Sequence, residues 1–193
     1  GGRLWWPPPV KGLALAVGTE GRVVGLDPSN QQIEAAKEHC HDLGNAAFSQ
    51  DSATELSFAD GEFDAIASIQ VLEYIENVDG ALSEIRRVIK PGGRLAAVSV
   101  LWDHWHFHGP DPVLNHRMHE AFKAHCFHQM LPLEMPAKLA RHGFVGAHCT
   151  PMGFLNNSLH HNSFAYLAST LFTHFAVGQG IPEEDVKSWR EQL

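Results

Sequence analysis

The sequence has few cysteines and no long apolar run, and both shortages limit the kind of protein it can be. The three cysteines, Cys40, Cys126 and Cys149, form no CxxC pair, so neither a disulfide framework nor a cysteine zinc site is expected. Few, widely spaced cysteines are typical of a reducing compartment. No apolar run approaches the roughly 18–20 residues of a membrane-spanning helix. The opening residues also lack the apolar core of a secretion signal. We therefore expect a cytoplasmic protein without a membrane partner.

Basic residues are also in the minority. Lys and Arg number 14 against 22 Asp and Glu, which gives a net charge of −8. General nucleic-acid binding requires a basic face, so we expect no nucleic-acid partner. With 193 residues, 44% of them hydrophobic, the chain is long enough to bury a core and fits a single domain.

Between residues 22 and 100, short apolar strands alternate with amphipathic helices. The strands are predicted at 22–26, 46–50, 63–69 and 94–100. Ser29 is predicted to cap the first helix of this region, whose apolar positions are Ile33, Ala36 and Cys40. The second helix is predicted over ALSEIRRVIK, and the Pro-Gly-Gly turn that follows is predicted to end it. Because the connections are short, this alternation indicates an α/β fold with a parallel sheet and helices on both faces.

The composition changes after residue 100, because eleven of the 14 histidines lie between residues 104 and 161. Helices are predicted at 115–128, 133–142, 163–177 and from 181 onward, with a strand at 144–150. His104, His106 and His108 alternate, so a strand would place all three on one face. No acid or cysteine at ligand spacing accompanies them, and we expect no metal site.

One stretch, RVVGLDPSNQQIEAAKEHC at residues 22–40, carries the first functional signal. Its strand stops at Asp27, and a helix follows. Nucleotide-binding α/β folds use an acid at the carboxyl end of a parallel strand to bind the two hydroxyls of a ribose. A carboxylate has two acceptor oxygens, and adjacent hydroxyls can donate to both. Asp27 is therefore the first candidate for a cofactor contact.

Three blocks in the first half of the chain resemble the class I S-adenosylmethionine-dependent methyltransferases. They are RVVGLDPS (22–29), FSQDSATELSFADGEFDAIASIQVLEY (48–74) and ALSEIRRVIKPGGRLAAVS (81–99). Their order and spacing are similar to those of small-molecule enzymes related to ubiquinone and menaquinone methyltransferases. The resemblance implies a Rossmann-like sheet, S-adenosylmethionine as cofactor and a small organic molecule as substrate.

The resemblance also implies roles for residues that follow the first strands. Asp27 looks like the ribose-binding acid, and Pro28 would pack near the adenine. Asp51 looks like the acid that accepts from the adenine amino group, and Ser52 would add a backbone or hydroxyl contact. Ile69 is expected to line the methionine part of the cofactor.

Gln70 follows Ile69 at the end of the same strand, and the resemblance implies that it also lies beside the methionine part of the cofactor. Tyr74 and His104 are expected to face the substrate pocket, and Trp102, Trp105 and Phe107 would form an aromatic wall of that pocket. No catalytic residue is assigned, because the methyl donor is already activated and positioning of the two reactants supplies much of the rate.

The chain departs from the family where a strand and a Gly-x-Gly-x-Gly loop should precede residue 13. Residues 5–10 are WWPPPV, and three prolines cannot form a central strand because each lacks a ladder donor. We expect the first strand and the glycine loop to be missing or replaced, with residues 3–6 as a possible short substitute. Residues 12–14 look like the start of the helix that follows that loop.

The sheet is also expected to be incomplete at its carboxyl-terminal end, because only 144–150 offers a partner for the usual final hairpin. We expect one domain in three parts: an irregular segment (1–12), a cofactor-binding half (13–100) and a substrate-side or lid half (101–193). A member altered in this way is expected to bind S-adenosylmethionine weakly or not at all.

Two other functions remain open from the sequence. The chain could be a non-catalytic fragment or pseudoenzyme that keeps the fold and acts by binding a partner. It could also be a nicotinamide-dependent dehydrogenase, because Asp27 would serve a ribose equally well. That enzyme also needs a glycine-rich loop, and the block at 81–99 fits it less well.

Overall fold

The computed structural model describes residues 9–161 and 163–193, and the predictions for residues 1–8 lie outside this part of the chain. The described residues form four strands, which are β1 (Val23–Asp27), β2 (Ala46–Gln50), β3 (Phe63–Ile69) and β4 (Ile89–Val98). They also form the helices α1 (Pro9–Val17), α2 (Asn30–His39), α3 (Val78–Val88), α4 (Pro112–Phe122), α5 (Leu131–Arg141), α6 (Phe164–Gly178) and α7 (Glu183–Glu191). Short 3₁₀ turns lie at Leu72–Tyr74, Trp102–His104 and Lys123–His125.

The chain divides into two compact units, one containing the residues up to Ile69 together with Asn77–Ala97, the other containing Gln70–Glu76 and the residues from Val98 onward. Within the described residues, no helix combines the length and apolar character needed to cross a membrane. The prediction of a single domain in three parts stays a prediction.

The first unit contains the predicted parallel pairing. β1 and β2 run parallel, with Val23 opposite Ala46 and Asp27 opposite Gln50, and α2 connects them along the chain. β3 and β4 form a second hydrogen-bonded pair. The α/β architecture is therefore confirmed, as small open sheets among helices.

α2 forms where the pattern predicts it, with Ile33 and Ala36 buried. Cys40, just beyond its end, is also buried. The predicted side-chain cap is absent, because the hydroxyl of Ser29 makes no capping hydrogen bond. The carbonyl oxygen of Ser29 instead accepts from the backbone N–H groups of Gln32 and Ile33.

The start of the first unit corrects one prediction. Residues 9–12 were expected to be irregular, but they begin α1. Proline is compatible with the first turn of a helix, where its missing N–H has no intrahelical partner to lose. α1 packs closely on β1, since a Cβ at Gly25 would lie 2.6 Å from a methyl carbon of Val10.

The Pro91-Gly92-Gly93 turn also differs from its prediction. α3 ends earlier, at Val88, because Ile89 adopts an extended backbone and enters β4. The turn lies within β4, where Gly92 has a φ of 80°. A Cβ at Gly93 would lie 2.9 Å from the carbonyl oxygen of Asp64, so this glycine allows close approach to β3. These glycines therefore shape the strand rather than end the helix.

The second unit is built around an aromatic core between α4, α6 and α7. Phe122 stacks on Phe172 with ring centroids 3.7 Å apart. The indole N–H of the buried Trp189 donates to Oδ1 of Asn115 at 2.9 Å. α4 begins at Pro112, earlier than predicted, because the carboxylate of Asp111 accepts from the first free N–H groups of the helix.

The strand predicted at 144–150 is wrong, because this segment has no regular structure. Val145 is 94% exposed, and Gly146 has a φ of 68°, which does not fit a strand. The helix before it, predicted at 133–142, spans Leu131–Arg141, and Gly143 follows with a φ of 77°. The apolar helix predicted at 163–177 is confirmed as α6.

Candidate functional site

The parallel pairing of β1 and β2 brings two candidate acids together at the carboxyl ends of the strands. Asp27 is the last residue of β1, and Asp51 follows β2 directly. The backbone N–H of Asp51 donates to the carbonyl oxygen of Asp27 at 3.3 Å. The side-chain amide of Gln50 donates to the carbonyl oxygen of Pro28 at 3.0 Å. The two acids and Pro28 therefore share one edge of the sheet.

The Asp27 carboxylate is half-buried and fixed on one side. Its Oδ1 accepts from the backbone N–H of Ser29 at 2.8 Å. Among the described residues no hydrogen bond reaches its Oδ2. This oxygen has the acceptor capacity that a ribose hydroxyl requires.

The Asp51 carboxylate accepts more hydrogen bonds from the protein than the Asp27 carboxylate does. Its Oδ1 accepts from the backbone N–H of Ser52, and its Oδ2 accepts from that of Ser57, both at 2.9 Å. The hydroxyl of Ser52 lies 2.9 Å from that of Thr54. Asp51 therefore organises the loop that follows β2, but each oxygen keeps a second lone pair for a further donor.

Two charged residues of α3, neither of them predicted as a site residue, anchor the same loop. Oε2 of Glu84 accepts from the backbone N–H of Leu56 at 2.8 Å. Arg87 donates to the carbonyl oxygen of Leu56 at 2.8 Å and to that of Phe58 at 2.7 Å. Hydrogen bonds from Arg87 and from the Leu56 N–H hold the pKa of Glu84 at about 2. The only sequence signal for this anchor is a pair of opposite charges three residues apart on an amphipathic helix.

The two residues assigned to the methionine part of the cofactor have different environments. Ile69 ends β3 with 41% of its surface exposed. In the second unit, Gln70 has a left-handed backbone with a φ of 51°, the only such non-glycine among the described residues. Its backbone N–H donates to the carbonyl oxygen of Val98 at 2.7 Å. A left-handed backbone outside glycine costs about 1–3 kcal/mol and is concentrated at functional sites.

Glu73 is the most deeply buried acid of the second unit. None of its surface is exposed, and its Oε2 accepts from the hydroxyl of Ser99 at 2.8 Å. Its Oε1 is buried and has no hydrogen-bond partner among the described residues. The backbone N–H groups of Phe127 and His128 both donate to its carbonyl oxygen at 3.1 Å. Glu73 thus ties the turn at residues 72–74 to the segment after α4.

The predicted aromatic wall of the substrate pocket is partly assembled within the second unit. Trp102 is buried, and Trp105 packs against Phe164 with ring centroids 5.0 Å apart. Their own rings are 6.1 Å apart. His104 lies on the short turn between them and is exposed.

Tyr74 belongs to the neighbourhood of Trp102. Its ring lies edge-on to His125 with centroids 5.8 Å apart, and the ring of Trp102 is 4.7 Å from the same histidine. Burial raises the pKa of the Tyr74 hydroxyl, and the nearby Glu73 carboxylate adds to this. Tyr74 is therefore a neutral hydrogen-bonding group at physiological pH.

A histidine-lined cleft of about 290 Å³ lies beside Trp102 in the second unit. His106, His108, His116 and His119 line it, so two of the three alternating histidines contribute and His104 does not. Nε2 of His119 accepts from a backbone N–H at 3.1 Å. Burial, followed by the nearby charge of His106, lowers the pKa of His119 to about 4. No group of three His, Cys, Asp or Glu side chains in the described ranges is placed to hold a metal ion.

Comparison with known proteins agrees with the fold of the first unit. A family model described as a methyltransferase domain matches residues 10–97. Demethylmenaquinone methyltransferase from Staphylococcus carnosus is 38% identical over 81 residues, which are 42% of this chain and 34% of that protein. An O-methyltransferase from Aspergillus nomiae is 32% identical over 114 residues, which are 58% of this chain and 49% of that protein.

A solved structure supports the same fold. The S-adenosylmethionine-dependent methyltransferase from Aquifex aeolicus aligns with 68% of this chain and 63% of its own, with a TM-score of 0.53 and 21% identity. The chain spans only 34–49% of the length of the curated relatives considered. Residues 10–97 therefore match a methyltransferase domain, and the chain shares the fold of a solved S-adenosylmethionine-dependent methyltransferase.

Proposed function

We propose that this protein takes part in the transfer of a methyl group from S-adenosylmethionine to a small organic molecule. The observation that carries the proposal is the placement of Asp27 and Asp51 side by side at the carboxyl ends of two parallel strands. Adenosine recognition needs an acceptor for ribose hydroxyls and another for the adenine amino group. The two carboxylates supply both at one edge.

In this proposal, different residues contact different parts of the cofactor. Oδ2 of Asp27 accepts from a ribose hydroxyl, while the backbone N–H of Ser29 holds the other oxygen of the carboxylate in place. Asp51 accepts from the adenine amino group through a lone pair that its loop does not use, with Pro28 and Ser52 beside it. The bound cofactor supplies a methyl group already activated on a sulfonium.

Further residues are proposed to face the methionine part of the cofactor and the acceptor. Ile69 and Gln70 are proposed for the methionine part. Tyr74, Trp102, His104 and Trp105 remain the proposed substrate residues, and the cleft beside Trp102 is the cavity proposed for the acceptor. Its volume suits a small molecule, and its imidazoles can donate to or accept from polar substituents.

Two further features of the proposal rest on composition and relatives. Named relatives that are methyltransferases of small molecules support a small organic acceptor. Scarce cysteines support a cytoplasmic setting, and a net charge of −8 supports the expectation of no nucleic-acid partner.

Calorimetric titration of the full chain with S-adenosylmethionine and with S-adenosylhomocysteine tests the cofactor assignment. We expect saturable binding that the substitution Asp27→Asn weakens. Because no Gly-x-Gly-x-Gly motif occurs in the 193 residues, the affinity is expected to be lower than that of an enzyme with the complete motif. If neither molecule bound, the proposal would be wrong for this chain.

The second candidate is a non-catalytic protein that keeps the fold and binds a partner. The use of both Asp51 oxygens by the protein's own backbone favours it. Titration separates the two candidates, because only the first requires an affinity for S-adenosylmethionine that depends on Asp27.

A further inference from the structure

The Arg87 side chain is the most heavily hydrogen-bonded group of the first unit's loop region. Its Nη1 donates to the carbonyl oxygen of Phe58 at 2.7 Å and to Oδ1 of Asp60 at 2.9 Å. Its Nη2 donates to the carbonyl oxygen of Leu56 at 2.8 Å. The backbone N–H of Gly61 donates to the carbonyl oxygen of Arg87 itself at 2.9 Å. One residue of α3 thus contacts the loop at residues 56, 58, 60 and 61.

Glu84 fixes the direction of this guanidinium. Nε and Nη2 of Arg87 donate to the two oxygens of Glu84, each at 2.8 Å, which is the bidentate geometry of an arginine–carboxylate pair. Oε2 of Glu84 also accepts from the backbone N–H of Leu56. The pair therefore satisfies both the N–H and the carbonyl oxygen of Leu56, whose side chain is buried.

Asp51 binds the next residue of the loop. The backbone N–H of Ser57 donates to Oδ2 of Asp51 at 2.9 Å. Leu56 and Ser57 are adjacent, so the loop is bound by Arg87 and Glu84 at one residue and by Asp51 at the following one. If the hold on Leu56 were released, the N–H of Ser57 would move with the chain, and the Asp51 carboxylate would lose one of its two backbone donors.

We propose that Arg87, oriented by Glu84, is a positioning residue for Asp51. The arginine holds the loop from Ser52 to Gly61 against α3, and the loop in turn fixes the direction of the Asp51 carboxylate. The consequence for adenine recognition rests on the proposed function, whereas the positioning itself does not. Exposed ion pairs contribute little to stability. This guanidinium also donates to backbone carbonyl oxygens, so its proposed role is to fix the position of the loop.

Amide hydrogen exchange on the full chain tests the positioning directly. The variant Arg87→Lys keeps the charge but replaces a planar fork of five donors with a single ammonium, which cannot reach all these acceptors. We expect exchange at Ser57 and Ser52 to accelerate about tenfold or more, the change that follows when a locally protected amide opens more often. Amides of β1 and β2 should not change. The matched control is Arg86→Lys, at an exposed neighbour on the same helix.

Unchanged exchange at Ser57 in Arg87→Lys would overturn the proposal. Glu84→Gln is the second variant, because glutamine keeps an acceptor for the Leu56 N–H but removes the charge partner of Arg87. It should accelerate exchange at Ser57 less than Arg87→Lys does. An equal acceleration across all amides of the first unit would indicate loss of general stability, and that would also contradict positioning.

Cofactor titration forms a separate arm. If the wild-type chain binds S-adenosylmethionine, Arg87→Lys should weaken binding, and the effect should largely disappear in an Asp51→Asn background because the two residues act on one contact. Fully additive losses would contradict the proposal. If the wild-type chain does not bind the cofactor, the proposed function fails for this chain, while the exchange result still decides whether Arg87 positions Asp51.

Discussion

The backbone N–H of Asp51 donates to the carbonyl oxygen of Asp27 at 3.3 Å, so one hydrogen bond joins the acid that ends β1 to the acid that follows β2. This contact continues the parallel ladder one step beyond the strands, since Asp27 lies opposite Gln50 in the register. The carboxylates differ in their surroundings. Asp27 keeps an oxygen that accepts from no donor of residues 9–161 and 163–193, whereas Asp51 uses both oxygens in its own loop. Substitutions at the two positions should therefore have different effects.

Replacing Asp27 by asparagine should weaken cofactor binding with little change in stability. The asparagine oxygen can still accept from the Ser29 N–H, but the charged acceptor for a ribose hydroxyl is lost. A charge-assisted hydrogen bond exceeds a neutral one by enough to change affinity about tenfold. Calorimetric titration with S-adenosylmethionine measures the loss, and a thermal melt checks that the fold is kept.

The control for this substitution is Glu20→Gln, which removes a charge from the exposed turn before the opposite end of β1. It should leave the affinity unchanged. If both substitutions weakened binding equally, the effect would come from net charge, and Asp27 would not be a ribose contact.

Replacing Asp51 by alanine should lower the free energy of unfolding as well as the affinity. Two backbone N–H groups, those of Ser52 and Ser57, lose their carboxylate acceptor. Each lost bond costs about 1 kcal/mol when water can partly replace the acceptor, so we expect a loss of about 2 kcal/mol. Urea unfolding of Asp51→Ala against Asp51→Asn measures it, because asparagine retains one acceptor. Equal stability of Asp51→Ala and wild type would show that the loop does not depend on this side chain.

Local sequence patterns predicted those parts of the fold that depend on neighbouring residues. The strand at Phe63–Ile69 and the helix α6 lie where alternation and apolar composition place them. The pairing of Asp27 with Asp51 as cofactor-binding acids came from the resemblance of residues 22–29 and 48–74 to the methyltransferases, and these roles stay predictions. The Pro91-Gly92-Gly93 prediction failed because the close approach of Gly93 to β3 is a contact distant in sequence.

The candidate site was predictable only in part, for the same reason. Arg87 anchors residues 56–61, which lie about 30 positions away in the chain. The sequence spacing of Asp27 and Asp51 does not indicate this contact. The histidine cleft combines the segment after β4 with α4. The sequence alternation of His104, His106 and His108 could not show that only two of these side chains line it.

Replacing Gln70 by glycine should stabilise the fold. The φ of 51° at this position is unfavourable for a side chain and readily adopted by glycine. Relief of that strain should exceed the entropy that glycine gains in the unfolded chain and raise the free energy of unfolding by up to about 1 kcal/mol. Gln70→Val, with a branched side chain, should destabilise. Urea unfolding of the three proteins checks the order, and a glycine variant less stable than wild type would contradict it.

Acidification should destabilise the wild-type protein through His119. Burial holds the pKa of this imidazole at about 4, below the ordinary histidine value of 6.5, so the folded state favours the neutral ring and the unfolded state binds a proton first. The stabilisation is complete above pH 6.5 and is lost as the pH falls from 6.5 through 4. Since His119 is partly exposed, we expect a loss of about 1–2 kcal/mol rather than the full value of the shift.

Urea unfolding at several pH values between 7.5 and 4 measures this loss against the variant His119→Gln. Glutamine can still accept from the Phe107 N–H but does not titrate, so its stability should depend less on pH. Burial also lowers the pKa of His125, but that residue is present in both proteins and its contribution cancels. His116→Gln, at an exposed position of the same helix, should keep the wild-type pH dependence. Parallel stability curves for wild type and His119→Gln would show that His119 does not couple folding to pH.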